Sequence, residues 1–407
     1  MNHHHIYGLL MLFQVTLVTF CDDDPPGHMQ PMCNYPPLQK AATMDDFPTP
    51  EYFFRWLTSP GQPVVFKSVL DKIDFPAYHK WTDDYLREKF GQIVVQTEQS
   101  RDYDNYLGSI KWRLMHQFLS DYKERRQYLV QDLKENMKED IRIPRSLQCG
   151  GFQNLFEKFV MWLSRAGSTS FLHNDEYDNI NCILDGVKVF KLIDKKYSQQ
   201  VKADNYNHEL GYSTVDVDKV DLHRFPKLQG LPWIEARAEK GDCIFVPKDW
   251  FHLVYSTGER NLAVNMWIVP LPVFNASDCQ LRELHSEATR YQTSDNMQSI
   301  RHTIMYVYKD KQNIQKDDLD LILLKNSRTE ENRNQIMKYL DADHDGVVSW
   351  DEVLTMDIEE FVVKFIDILH LPPHLDQLKA YLREITNNDV DSYSRLIELT
   401  SDAREEL

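Results

Sequence analysis

Two histidines and one aspartate carry the residue types that could hold a single transition metal. His173 and Asp175 stand two apart in Gly167-Ser-Thr-Ser-Phe-Leu-His173-Asn-Asp175, and His252 follows much later in Trp250-Phe251-His252. In a strand, residues two apart project from the same face, so His173 and Asp175 can take adjacent positions on one metal. A remote imidazole completes a facial triad and leaves three positions open, the ligand set of non-haem Fe(II) oxygenases. The open positions suit 2-oxoglutarate, which chelates through two atoms, and dioxygen. Lys188 is the natural counter-ion for the distal carboxylate of that co-substrate. A His-x-Asp alone is more often a surface or capping pair, so the reading rests on its surroundings.

A second constellation is local. Asp341-Ala-Asp343-His-Asp345-Gly346-Val347-Val-Ser349-Trp-Asp-Glu352 places oxygen donors as a calcium-binding EF-hand loop does. Asp341, Asp343 and Asp345 supply carboxylates, and Gly346 permits the sharp turn. Val347 offers its carbonyl, Ser349 stands where water often mediates, and Glu352 closes the ring with two oxygens. Helical patterns flank the loop, over 330–340 and 350–361. Val348 should contact a partner loop within 290–328, where no second intact set of acids stands. A degenerate, metal-free partner is expected, with calcium structural rather than regulatory.

The elements that must position the metal set are strands. From Pro50 short helices and strands alternate, with helices over 51–57 and 83–90, a strand at 93–97 and another at 128–131. Residues 158–269 are strand-rich. Asp185-Gly186 between two β-rich runs predicts a two-residue hairpin turn pairing Ile183 with Lys188. That pairing puts Lys188 on the face of Asn179 and Asn181. After Pro270-Leu-Pro272 the character becomes helical and charged, which marks a boundary near 272–285.

The ends read as targeting segments. Residues 1–21 form an apolar run with small residues near Cys21, a signal peptide that lacks the usual basic n-region. Residues 22–45 read as an irregular arm. Arg404-Glu405-Glu406-Leu407 resembles an endoplasmic reticulum retention signal, so a retention receptor is an expected partner. Location in that lumen follows, with no membrane span in the mature chain. Asn275-Ala276-Ser277 is a compatible glycosylation sequon. The formal net charge of −17 and the absence of a basic stretch argue against nucleic acid. The six cysteines do not form a disulfide scaffold. One bridge is plausible in an oxidising lumen, and Cys182 and Cys243, in apolar strand patterns, are read as buried thiols.

Over about residues 45–270 the chain resembles the JmjC family of cupin-type oxygenases, most closely the protein hydroxylases. The resemblance is carried by Pro63-Val-Val, Trp81-Thr-Asp-Asp-Tyr85-Leu86, Tyr128-Leu-Val-Gln131, Gly167 through Asp175, Asn179, Gly186-Val-Lys188, Gly241-Asp242, Val246-Pro247, Trp250-Phe251-His252 and Ala263-Val-Asn265-Met-Trp267. It implies iron ligands at His173, Asp175 and His252. It implies 2-oxoglutarate contacts at Lys188, Tyr128 and Ser170, and amides near the metal or substrate at Asn179 and Asn265. Met266 stands where the family frequently has Phe, and Ser170 where some members carry Thr, a change that keeps the hydroxyl.

The expected fold is α+β: a double-stranded β-helix, or cupin jelly roll, with flanking helices over 46–272, then a small all-α EF-hand module over 285–400. The expected function is Fe(II)- and 2-oxoglutarate-dependent hydroxylation of a protein side chain in the secretory pathway. A silent lumenal calcium-binding scaffold is the alternative, and lysine demethylation ranks last because the ends point away from chromatin.

Overall fold

The computed structural model describes residues 24–370, apart from 100–109, 126, 166, 204–205, 209–210, 282–287, 290–294 and 310. The apolar leader 1–21, residues 371–400 and the tail 404–407 lie outside the described residues. No helix among the described residues is long and apolar enough to cross a membrane.

Eight strands carry the site: β1 (Val64–Phe66), β2 (Gln127–Asp132), β3 (Phe156–Ser164), β4 (Ser168–Thr169), β5 (Asp178–Ile193), β6 (Ile234–Glu239), β7 (Cys243–Val246) and β8 (Phe251–Ile268). The two long strands, β5 and β8, lie antiparallel and run through two layers. The first half of β5 pairs with β7 and with the end of β8, from Asp178–Ile268 to Ile183–Ala263. Its second half pairs with β6 and with the start of β8, from Val187–Thr257 to Ile193–Phe251. β3 extends the first layer and β2 extends β3, while β4 lies on β8 in the second. Two sheets sharing bent strands are consistent with the expected double-stranded β-helix.

The bend corrects the hairpin. Asp185-Gly186 is no chain reversal; β5 continues through it, with register shifts on either side. Gly186 has φ +76°, and a Cβ there would fall against the carbonyls of Arg260 and Thr257 and the Asn261 amide. Only glycine fits this left-handed, crowded position. Asn261 Nδ2 clasps the corner, donating to Val187 O at 2.8 Å and Thr257 O at 3.2 Å. Arg260 ties it to the N-terminal helices through Asp83 at 2.8 Å and Asp185 at 3.0 Å. The irregularity also slips the side-chain alternation by one. Ile183 and Phe190, an odd number of residues apart, share one buried cluster, while Ile180 and Leu184 belong to another. Lys188 therefore does share a face with Asn179 and Asn181, although by a bulge and not by a turn.

The cysteine expectation also fails. Cys182 and Cys243 are directly opposed on β5 and β7 and form a disulfide, their Cα atoms 4.0 Å apart. Cys149 and Cys279 form another, and Cys33 is a buried free thiol. Both Cys182 and Cys243 are buried in apolar strands as read; what the sequence could not show was the register that makes them neighbours.

Helices α1 (Asp83–Phe90) and α2 (Met115–Arg125) cover the first layer, and Thr82 caps α1 by accepting from Tyr85 N–H at 3.1 Å. Beyond residue 272, Asn275 is spent on local structure. Its side-chain oxygen accepts from the Ser277 hydroxyl at 2.6 Å and caps a short helix at Asp278 N–H, and the residue is nearly buried. Four further helices follow: α3 (Asp295–Val307), α4 (Glu330–Leu340), α5 (Trp350–Thr355) and α6 (Ile358–Phe365). They share a continuous apolar core with β3, in which Ile304, Val353 and Phe361 join Phe159 and Met161. Arg301 of α3 donates to the carbonyls of Leu354 and Met356 at 2.9 and 3.0 Å, and His302 pairs with Glu157 at 2.7 Å.

Candidate active site

Strand pairing brings the two imidazoles together before any metal is considered. His173 N–H donates to His252 O at 3.1 Å, and His252 N–H to His173 O at 2.7 Å. This mutual bridge holds the ring centroids 4.2 Å apart. Asp175, two residues on, places one carboxylate oxygen 3.7 Å from His252 Nε2 and the other 4.0 Å from His173 Nε2. Each ring donates its Nδ1–H to a carbonyl two residues earlier, Phe171 O at 2.8 Å and Trp250 O at 2.9 Å. Those bonds select the tautomer whose Nε2 lone pair faces the carboxylate, the outer arrangement that metal-ligating histidines use. Burial pushes the His252 imidazole well below its ordinary pKa, with the neighbouring His173 adding to the effect, so His252 stays neutral. Two imidazole nitrogens and a carboxylate oxygen, gathered within 4.8 Å, fit iron(II).

Lys188 fits a carboxylate with equal clarity. The residue is 2% exposed, yet no acidic side chain among the described residues pairs with it. Its Nζ donates to Ser256 Oγ at 3.0 Å and lies 5.8 Å from the Tyr128 ring centroid. Burial pushes its pKa down to about 7. A buried ammonium met only by a hydroxyl and a ring is costly until an anion joins it. Nearby on the same strands, Asn181 donates to the Asn265 side chain opposite. Asn179 Oδ1, Asn181 Oδ1, Trp162 Nε1 and Trp267 Nε1 are buried without hydrogen-bond partners among the described residues. Such atoms line sites that take ligand or water.

The expected residues do not all converge. Tyr128 stands by Lys188, packed against Trp162 at 5.5 Å. Asn179 and Asn265 are buried on the strands that carry the lysine and the second histidine. Ser170 spends its hydroxyl on backbone, donating to Phe171 O at 3.0 Å and accepting from Val254 N–H at 2.9 Å. The hydroxyl that reaches the lysine belongs to Ser256, which the sequence reading missed. A signal existed: Ser256 follows His252 at strand period and so shares its face.

The acidic loop lies apart from this chamber. Asp341, Asp343 and Asp345 each bring a carboxylate oxygen within 4.8 Å of the others. Asp341 accepts from Asp345 N–H at 3.1 Å and Gly346 N–H at 3.0 Å. Glu352 accepts from Ala342 N–H at 2.6 Å and Ser349 N–H at 2.8 Å, which ties the start of the loop to α5. Val348 exchanges two 2.9 Å backbone bonds with Ile314, which lies in the expected partner region. A third His/Asp group, Asp24, His28 and His223, joins the N-terminal arm to residues 220–223. His28 Nδ1 accepts from Leu222 N–H at 3.1 Å, so the proton sits on Nε2 and the group is a hydrogen-bonded clasp.

A two-layer barrel with this triad on one rim and a buried lysine inside defines a cupin-type protein. The model of the cupin-like domain matches residues 50–271, more than half of the chain, and the chain belongs to that family. It is 28% identical over 232 residues to "Lysine-specific demethylase JMJ30" of Arabidopsis thaliana, covering 53% of this chain and 52% of the relative. It is 26% identical to "Jumonji C domain-containing protein 5" of Drosophila melanogaster, over 58% and 60% of the two chains. It is 23% identical to the human "Bifunctional peptidase and (3S)-lysyl hydroxylase JMJD7", over 55% of this chain and 82% of that one. The chain spans about half the length of the lysine-specific demethylases it matches.

Proposed function

We propose that the chain is an Fe(II)- and 2-oxoglutarate-dependent hydroxylase of protein side chains in the endoplasmic reticulum lumen. The observation that carries the reading is Lys188, a buried lysine without an acidic partner among the described residues, on the inner face of the barrel that holds His173, Asp175 and His252 at its rim. The three ligand side chains would hold the metal. Lys188, steadied by Ser256, would take the distal carboxylate of the co-substrate. Bound iron and 2-oxoglutarate would supply dioxygen activation and insertion of one oxygen atom into a substrate C–H bond. The protein's share is orientation. The Phe171 and Trp250 carbonyls set the imidazole tautomers, Asn181 and Asn265 brace each other across the strands, and the apolar Ile183, Phe190 and Leu192 keep bulk water out of the chamber.

The lumenal location is supported by the apolar leader, by the Arg-Glu-Glu-Leu tail and by two disulfides, which persist in oxidising compartments. Calcium binding at 341–352 is part of the proposal, supported by the gathered carboxylates and the Val348–Ile314 pairing. Hydroxylation is separated from the demethylation named for several relatives by product. Incubation of the purified chain with lumenal proteins, Fe(II) and 2-oxoglutarate should give succinate and a one-oxygen mass gain without formaldehyde. Formaldehyde release in step with succinate would instead favour demethylation, and no Fe(II)-dependent succinate would leave the scaffold reading.

A further inference from the structure

A cleft of about 280 Å³, whose lining includes Pro247 and Lys248 but none of His173, Asp175 and His252, lies beside the candidate metal site. It is lined by Ser59, Asp178, Lys195 and Lys248 among others. Three features set it apart from an ordinary surface hollow. Lys195 and Lys248 make no ion pair among the described residues, in a chain with a formal net charge of −17. Asp178 is 3% exposed and lines the cleft; one oxygen accepts from Lys248 N–H at 2.9 Å, and the other makes no hydrogen bond among the described residues. The adjoining wall is a π-helical turn, Phe54–Thr58, a distortion that is frequent at functional sites.

We propose that this cleft binds a small oxyanion, of phosphate or carboxylate type, through the two ammonium groups that line it. Asp178 would meet the anion as its protonated acid. Burial pushes that carboxyl up to about 7 against the lowering pull of the Lys248 N–H and of the Lys195 and Lys248 charges, and an anion that takes up those charges favours the neutral carboxyl, which can donate a hydrogen bond to its oxygen. The site is distinct from the Lys188 chamber, yet three consecutive residues join the two. Lys248 N–H holds Asp178, Asp249 N–H holds the Asp175 carbonyl at 2.8 Å, and the Trp250 carbonyl holds the His252 ring at 2.9 Å. An occupant gripping Lys248 therefore bears on the turn that orients two of the three candidate ligands.

The test is calorimetric titration of the full chain with inorganic phosphate and, separately, with tricarballylate, at pH 6.5. Saturable one-to-one binding is expected with at least one of them, and the tighter of the two identifies the oxyanion type. The Lys195→Ala/Lys248→Ala double variant should weaken binding at least about tenfold, as expected for loss of charge-assisted hydrogen bonds. Both side chains reach solvent, so the fold should survive, and unchanged near-ultraviolet circular dichroism would verify it. Lys188→Met should leave phosphate binding unchanged. Absence of saturable binding, or binding that survives the double variant, would overturn the proposal. Neither result bears on whether the Lys188 chamber takes 2-oxoglutarate.

Discussion

The barrel chamber and the acidic loop hold their candidate ligands in opposite ways. In the chamber His173 and Asp175 come from one segment and His252 from another, and sheet register brings them together. Backbone bonds set both imidazoles independently of any ion. In the loop all the donors lie within 341–352, and three carboxylates face one another with only backbone N–H groups between them. The chamber is preorganised by the fold; the loop is organised by sequence and leaves like charges to be neutralised by a cation. The first should tolerate loss of its metal with little change in stability, and the second should not.

The largest effect should come from the chamber. His173→Ala or Asp175→Ala should lower Fe(II)-dependent succinate formation by roughly a thousandfold or more, since a facial triad cannot hold iron in working geometry with two protein ligands. The melting temperature should move by only a few degrees. A collapse of stability in these variants would break the contrast.

Next in size, Lys188→Met should weaken 2-oxoglutarate binding by roughly 10- to 100-fold, the scale of a lost charge-assisted bond. The proton balance sharpens this. The lysine's pKa is lowered to about 7, so the free protein carries it largely neutral at pH 8. Binding a dianion favours the ammonium, so 2-oxoglutarate should take up nearly one proton at pH 8 and little at pH 6. Titration in buffers of different ionisation heat reads this directly, and the methionine variant should abolish it. In the ligand-free protein the sign for stability is the reverse of a salt-bridged lysine. The unfolded state binds the extra proton between about 7 and the ordinary lysine value, so this group's contribution rises with pH across that window.

The loop supplies the third prediction. Calcium at about 100 times its dissociation constant should stabilise the chain by about 2.7 kcal/mol. Glu352→Gln should remove most of that gain, because Glu352 also ties the loop start to α5. Chelation followed by calorimetry checks it, and iron-dependent turnover should change far less than stability.

Smaller in activity though not in stability, Gly186→Ala should cost roughly 2–4 kcal/mol. The added Cβ meets backbone at a left-handed position, and strain of this kind is only partly relieved by local movement. Chemical denaturation measures it, and a neutral result would mean that the β5 corner is not the constraint described.

What could be read from the sequence follows the same division. The clustering of Asp341, Asp343 and Asp345 was legible because the geometry of the loop is local. In the barrel, His173 and Asp175 were legible by strand period and Lys188 by its face, but for an imperfect reason. The Asp-Gly pair looks like a hairpin, and only the paired partners Arg260 and Asn261 make it a corner in a continuous strand. The Cys182–Cys243 bridge and the Ser256–Lys188 contact depend on register between segments far apart in the chain, which composition and periodicity do not carry. The Ser170 hydroxyl bonds β8 backbone, a contact that likewise depends on register.

The most direct test of the central claim is anaerobic calorimetric titration of 2-oxoglutarate into the wild type, His252→Ala and Lys188→Met chains, each with and without Fe(II). Tight binding should require the metal, His252 and Lys188 together, with either substitution weakening it at least tenfold. Binding that is indifferent to Fe(II), or that persists in both variants, would show that triad and lysine do not form one site.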